Sequence, residues 1–366
     1  MRNKAVYHKF LRKEVLNFFK FKNSARSWHI PILAGLAVGI PLLTGYYFND
    51  IRSGLTASLA GLVILYTPTN GNLFEIMTKM FVCSFGMIVS YTLALFFSFY
   101  DITAILGFGL ISGATYFVNR FFIQKPPGSF FFIMIASMAI AVPHELNAIP
   151  RMVGLFTLGT FTACFLVLLY SLLFLPKALK TRFNTQFKVN PYVDFREVLV
   201  ITVFMMLSIF IGKFFNLEYP YWIPISCLAV LQGVDQYSIW KRGFHRIIGT
   251  LAGMLIVWGI FSLTHSALVL CFSIIILQII VELLITRHYA LTVVFLTPLG
   301  VLLAETGSSL SADPNHLLQI RFLEIILGSI LGVCGGWFLF NERLQYKKKR
   351  YEKQSKAVVQ KSLDKK

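Results

Sequence analysis

Three cationic positions in this sequence return at a nearly fixed interval. Lys79 and Arg246 are separated by 167 positions, as are Arg120 and Arg287, while Arg151 and Arg321 are separated by 170. Each lies in or at the edge of an apolar run. An Arg guanidinium is a planar fork that can give a carboxylate two parallel hydrogen bonds. The other role open to all six is to reach from a helix end toward water. Glu282 lies inside an apolar run, where an acid is costly and ordinarily has a partner. It either carries a coupling proton or pairs with Arg246 or Arg287. Asp235 is a second proton-coupling candidate, with Lys241 and Arg242 as its alternative ion-pair partners. Trp222, Tyr221 and Tyr219 either belong to an interfacial aromatic belt or stack on an aromatic ligand.

Other chemistries find no pattern. No Walker A loop, GxSxG or HExxH occurs, and His29, His144, His245, His265, His288 and His316 are scattered. Cys83, Cys164, Cys227, Cys271 and Cys334 all lie in apolar segments without metal-ligand spacing, and read as packing residues. The expectation is a non-enzyme with no catalytic residue, metal or cofactor. The net charge of +18 does not point to nucleic acid, because Lys and Arg gather in the ends and short loops. That is the charge signature of membrane topology.

The elements that must position these groups are membrane helices. The chain is 56% apolar and 14% charged, with a mean hydropathy of +0.69. The fold class expected is an all-α integral membrane protein of about twelve transmembrane helices. Spans are predicted near 28–48, 52–66, 75–99, 102–119, 129–142, 151–175, 197–216, 220–233, 243–264, 266–285, 289–304 and 317–340. The domains are a basic arm over 1–27, a first membrane repeat over 28–175 and a linker over 176–196. A second membrane repeat over 197–340 and a basic tail over 341–366 follow. No cleavable signal peptide is visible. With both termini in the cytoplasm, that side holds about sevenfold more Lys and Arg than the outer side. The polybasic stretch Lys347 to Arg350 is suited to anionic lipid.

The two membrane segments read as parallel six-helix repeats. At the 167 offset, Gly45, Phe48 and Asn49 fall on Gly212, Phe215 and Asn216, and Gly86-Met87 on Gly253-Met254. Six spans per unit put the pseudo-twofold axis along the membrane normal. The second and fifth segments of each unit are short. Segment 220–233 also carries Pro220 and Pro224. Short, Pro-interrupted segments in matching places point to a transport path. Arg246 is expected to begin the helix that follows, where Gly249 and Gly253 allow a close helix neighbour.

One stretch is more specific. It reads Tyr219-Pro-Tyr-Trp-Ile-Pro224, then Gln232, Lys241, Arg242 and Arg246, then Gly249-Thr-Leu-Ala-Gly253. This resembles the fusaric acid resistance family of the aromatic acid exporter superfamily. Its pattern is P-x-W, a short helix, then R-x-x-G-T-x-x-G. Phe295-Leu-Thr-Pro298 and Lys125-Pro-Pro-Gly-Ser-Phe130 are similar to it as well. The first half lacks the P-x-W and R-x-x-G-T elements. The resemblance implies export of organic anions, notably aromatic carboxylates, across a bacterial cytoplasmic membrane, driven by membrane potential, a proton gradient or both. Candidate substrate contacts are Arg246, Lys79, Arg120, Arg287, Trp222 and Tyr221. The alternatives are a passive anion channel similar to plant malate channels and a non-transporting scaffold of envelope assembly. A homo-oligomer or a periplasmic adaptor would be compatible partners.

Overall fold

A computed structural model describes residues 28–68, 71–123, 127–174, 189–263, 266–285, 287–309 and 314–340. The basic arm, the tail and most of the linker lie outside this set. The described residues contain no strand. The helices are α1 (His29–Tyr47), α2 (Ile51–Gly61, continued by a 3-10 turn Leu62–Tyr66), α3 (Leu73–Phe97), α4 (Asp101–Phe121), α5 (Phe130–Ala141) and α6 (Ile149–Phe174). Then follow α7 (Phe195–Phe214), α8 (Trp222–Leu231), α9 (Gln236–Leu263), α10 (Ala267–Ile285), α11 (Tyr289–Ser309) and α12 (Pro314–Phe340).

Eight of these, α1, α3, α4, α6, α7, α9, α10 and α12, are long and apolar enough to cross a bilayer. The other four, α2, α5, α8 and α11, are shorter apolar helices. The long helices are apolar on their outer faces too, as at Phe85, Leu110, Phe165 and Leu255, all exposed. A helix apolar all round belongs in lipid or in a core. This is a multi-pass membrane protein.

Local chemistry sets the helix ends. Asn72 and Glu75 form a reciprocal capping box that starts α3. Asp50 accepts the Ser53 amide at 3.1 Å and starts α2. The ends of α1 and α7 close alike. Asn49 and Asn216 have φ of 57° and 48°. Asp50 N–H donates to Gly45 O at 2.8 Å and Leu217 N–H to Gly212 O at 3.0 Å. Both are Schellman turns with Asn in the left-handed position that Gly more often fills.

The short helices lie inside the bundle. α8 packs on α5, α7, α9 and α12, and α2 packs on α1, α6 and α11. α5 packs on α3 and α4, and α11 on α9 and α10. The larger seams between the chain's earlier and later helices are α4 against α7 and α1 against α10. On α4, Gly109 and Gly113 receive Met206 and Thr202 of α7; on α1, Gly35 and Gly39 receive Ile279 and Ile275 of α10. The α4–α7 seam also has an ion pair at each end, Asp101 with Lys213 at 2.7 Å and Arg120 with Glu197 at 2.9 Å.

Candidate functional site

The site is built around α8. All ten of its residues, Trp222 to Leu231, are buried. At 1.5 Å per residue it is about 15 Å long, half of a hydrocarbon core of about 30 Å. Pro224 sits in its first turn, where a proline costs no hydrogen bond, so it helps start the helix and does not interrupt it. Pro220 lies before the helix and packs on Gly212. Gly328 and Gly332 of α12 lie directly on α8, at Ile223, Ser226, Cys227 and Val230.

Arg246 reaches this helix from α9. The helix starts at Gln236, so Arg246 does not begin it, as the sequence suggested. It lies ten residues in, about 15 Å along the axis. Hydropathy alone misses the first turns because Gln236 to Arg242 is a polar stretch, and Asp235 caps it into helix. Arg246 is 3% exposed. Its Nη2 donates to Ser226 Oγ at 3.5 Å, while Nε has no hydrogen-bond partner among the described residues. No acid forms an ion pair with it among those residues. Gly249 and Gly253, three and seven residues on, bring α9 against Val293, Val294 and Thr297 of α11.

Other charges hold both ends of α8. Arg321 is fully buried and lies over the Trp222 ring at 4.1 Å. Glu324 accepts the Tyr219 amide at 3.1 Å, just before the helix. At the opposite end, Arg242 donates to Ala229 O at 3.3 Å and covers the Tyr289 ring at 4.8 Å. A cation suits that end because the last carbonyls of a helix carry partial negative charge. Ser137 of α5 donates to Tyr221 O at 3.0 Å. Trp222 and Tyr221 are therefore core residues, 6% and 4% exposed, and not members of an interfacial belt.

The other predicted residues are dispersed. Arg120 is on the surface, engaged with Glu197 and with Tyr116 Oη at 3.1 Å. Arg287 is exposed in the turn between α10 and α11. Lys79 is half-buried in α3. Arg151 is exposed and bridges Asp50 at 2.5 Å, unlike buried Arg321. A cleft of about 640 Å³ between α1, α2 and α6 opens beside this pair. Glu282 is buried in α10, and no ion pair joins it to Arg246 or Arg287 among the described residues. For Arg246 the packing explains this: α10 lies on α1 and α11, whereas Arg246 faces α8. Asp235 caps α9 instead of pairing with Lys241 or Arg242. Its carboxylate accepts the Ser238 amide at 2.6 Å and the Ser238 hydroxyl. Those bonds hold its carboxyl below the usual range. Lys241 instead lies over Tyr237 at 6.0 Å.

Ser226 and Ser329, both buried hydroxyls, escaped the sequence reading, and Thr250, also buried, entered it only as a member of the R-x-x-G-T pattern. Nothing in sequence distinguishes them from small packing residues. No group of residues that could hold a metal occurs among the described residues.

The site lies within a recognisable segment. Residues 207–335 match the model of the family described as fusaric acid resistance protein-like. The fusaric acid resistance-like segment runs from α7 into α12 and so contains α8, Arg246, Arg321 and Glu282. A stretch of 126 residues, 34% of the chain, is 30% identical to the "Uncharacterized membrane protein YvaC" of Bacillus subtilis (strain 168). It covers only 20% of that relative's length. No solved structure matches the chain.

Proposed function

We propose that this membrane protein exports organic anions, notably aromatic carboxylates, across the bacterial cytoplasmic membrane. The observation that carries the reading is a guanidinium buried about 15 Å along a membrane-spanning helix, against a short helix that is itself buried throughout. A lone buried cation is costly, and an anionic ligand offsets that cost. The family description of the matched segment agrees with it.

The path would run between two parallel six-helix copies, with both termini cytoplasmic. The packing supports a two-copy reading. The pairs α1–α2, α2–α6, α3–α5, α3–α6 and α1–α6 have counterparts six helices on in α7–α8, α8–α12, α9–α11, α9–α12 and α7–α12. Contacts between copies match as well, α4–α7 with α1–α10 and α5–α8 with α2–α11. All twelve helices would then serve the membrane domain, the short ones shielded inside it. On this reading the buried α8 would shift for an anion to pass. An inside-negative potential favours anion exit by about 2.3 kcal/mol per charge per 100 mV.

Flux of radiolabelled aromatic carboxylates from proteoliposomes tests this. Potential-driven efflux is expected, with Arg246→Gln lowering it at least about tenfold, the loss of one charged hydrogen-bonding partner. Absence of flux for every anion in the panel would sink the exporter reading, and discrete conductance steps in planar bilayers would replace it with a channel.

A further inference from the structure

Buried hydroxyls without partners are uncommon in native proteins. Thr250 Oγ1 on α9 and Ser329 Oγ on α12 are two of them among the described residues, and Arg246 Nε on α9 also has no partner. Thr250 is one turn beyond Arg246 on α9 and shares its face. That face includes Gly243, which meets Val333 of α12 and Val230 of α8. Gly336 of α12 meets Ile239, one turn earlier on α9. Stepping back one turn along α12 from Val333 brings Ser329 to the level of Arg246. Stepping back one turn along α8 from Val230 brings Ser226 there, where the Arg246 contact is made. Four polar side chains from three helices therefore lie within about one turn of the same level, each at most 3% exposed.

We propose that Arg246, Ser226, Thr250 and Ser329 form an occluded anion-binding site between α8, α9 and α12. Its ligand is a compact monoanionic group, a halide or a single carboxylate, that accepts hydrogen bonds from the guanidinium and the hydroxyls. The hydroxyls select against dianions, since they bring donors without further positive charge. This deepens the exporter reading, and rests on it for the carboxylate as the transported group.

The test measures the thermal midpoint of the full-length protein in nanodiscs, in a buffer whose anion is bulky gluconate. Sodium chloride and sodium benzoate are titrated separately and in competition. Both are expected to raise the midpoint and to compete. Thr250→Val and Ser329→Ala, which keep size and shape, should each raise the half-saturating concentration by up to roughly tenfold. Arg246→Gln should remove the effect, and Arg52→Gln, on exposed α2 surface, should keep it. No midpoint shift with either anion overturns the site, as does a shift that persists unchanged in all three site variants. Competition by chloride alone makes the ligand a structural halide. Flux in the same variants separates the two readings. Loss of the midpoint effect with normal efflux keeps the site and removes it from the export path. Loss of efflux with an intact midpoint effect overturns the site and leaves the exporter reading standing.

Discussion

Glu282 and Asp235 are both carboxylates, and their settings differ: one is buried in α10 and the other exposed before α9. Asp235 is exposed and its carboxyl is held below the usual range by the Ser238 hydroxyl and amide. It stays ionised throughout the physiological range and has no proton to deliver. Glu282 is 2% exposed within apolar α10, the setting in which a carboxylate gains and loses a proton with consequence. An inward proton gradient at zero membrane potential should therefore stimulate export by the parent protein and by Asp235→Asn, and not by Glu282→Gln. Equal stimulation in all three, measured as initial efflux from proteoliposomes, would remove Glu282 from coupling. A second residue-scale prediction concerns Asp50. Bonds from Ser53 first, and the Arg151 charge after them, hold its carboxyl below the usual range. A carboxyl lowered on folding stabilises above its unfolded value, and that contribution is lost as pH falls through the folded value. Asp50→Asn keeps a helix-capping oxygen but gives up the exposed ion pair, which contributes at most about 1 kcal/mol. Its thermal midpoint should stay near the parent's at pH 7 and change less than the parent's below about pH 4. The charges themselves were visible in sequence at this scale. Ser226 and Ser329 were not, because a Ser in an apolar helix looks alike whether or not it faces a charge.

At the scale of elements, α8 is a short rod held at both ends by side chains from its long neighbours. Arg242 sits on its last turn, Glu324 on the segment before it, and Arg321 over its first residue. Cys227 near its middle is fully buried and gives a direct report of movement. In a protein retaining only this cysteine, a membrane-permeant maleimide should label slowly at rest and several-fold faster during export. A labelling rate indifferent to substrate would mean that α8 stays in place. The shortness of α8 was legible in sequence because apolar residues stop at Gln232-Gly233. Its burial was less so, since a ten-residue apolar stretch has no polar face to reveal where it lies. Pro224 misled for a related reason. Proline breaks a helix interior but fits a first turn, and only the true start of α8 tells these apart. The depth of Arg246 depended likewise on where α9 begins, and Lys241 and Arg242 make its opening turns read as loop.

At the scale of the molecule, the α4–α7 seam has ion pairs at both ends, while Gly35 and Gly39 set α1 against apolar Ile275 and Ile279. The exposed pairs contribute about 0–1 kcal/mol each, so packing carries both seams. Cutting the chain within residues 176–188 and producing the two pieces together should yield a stoichiometric complex that co-purifies and transports. Failure of the pieces to associate would mean that the linker does more than tether. Such a cut also exposes a historical constraint. At the 167 offset, Gly35 and Gly39 correspond to Thr202 and Met206, the residues that fill the glycine hollows on α4. Small and large have thus changed places between the two seams. Two first halves brought together would set hollow against hollow, and two second halves would force Ile275 and Ile279 into Thr202 and Met206. On the two-copy reading, a lineage that began with identical subunits would, after these exchanges, have lost the way back to self-pairing, leaving each half obligate for the other.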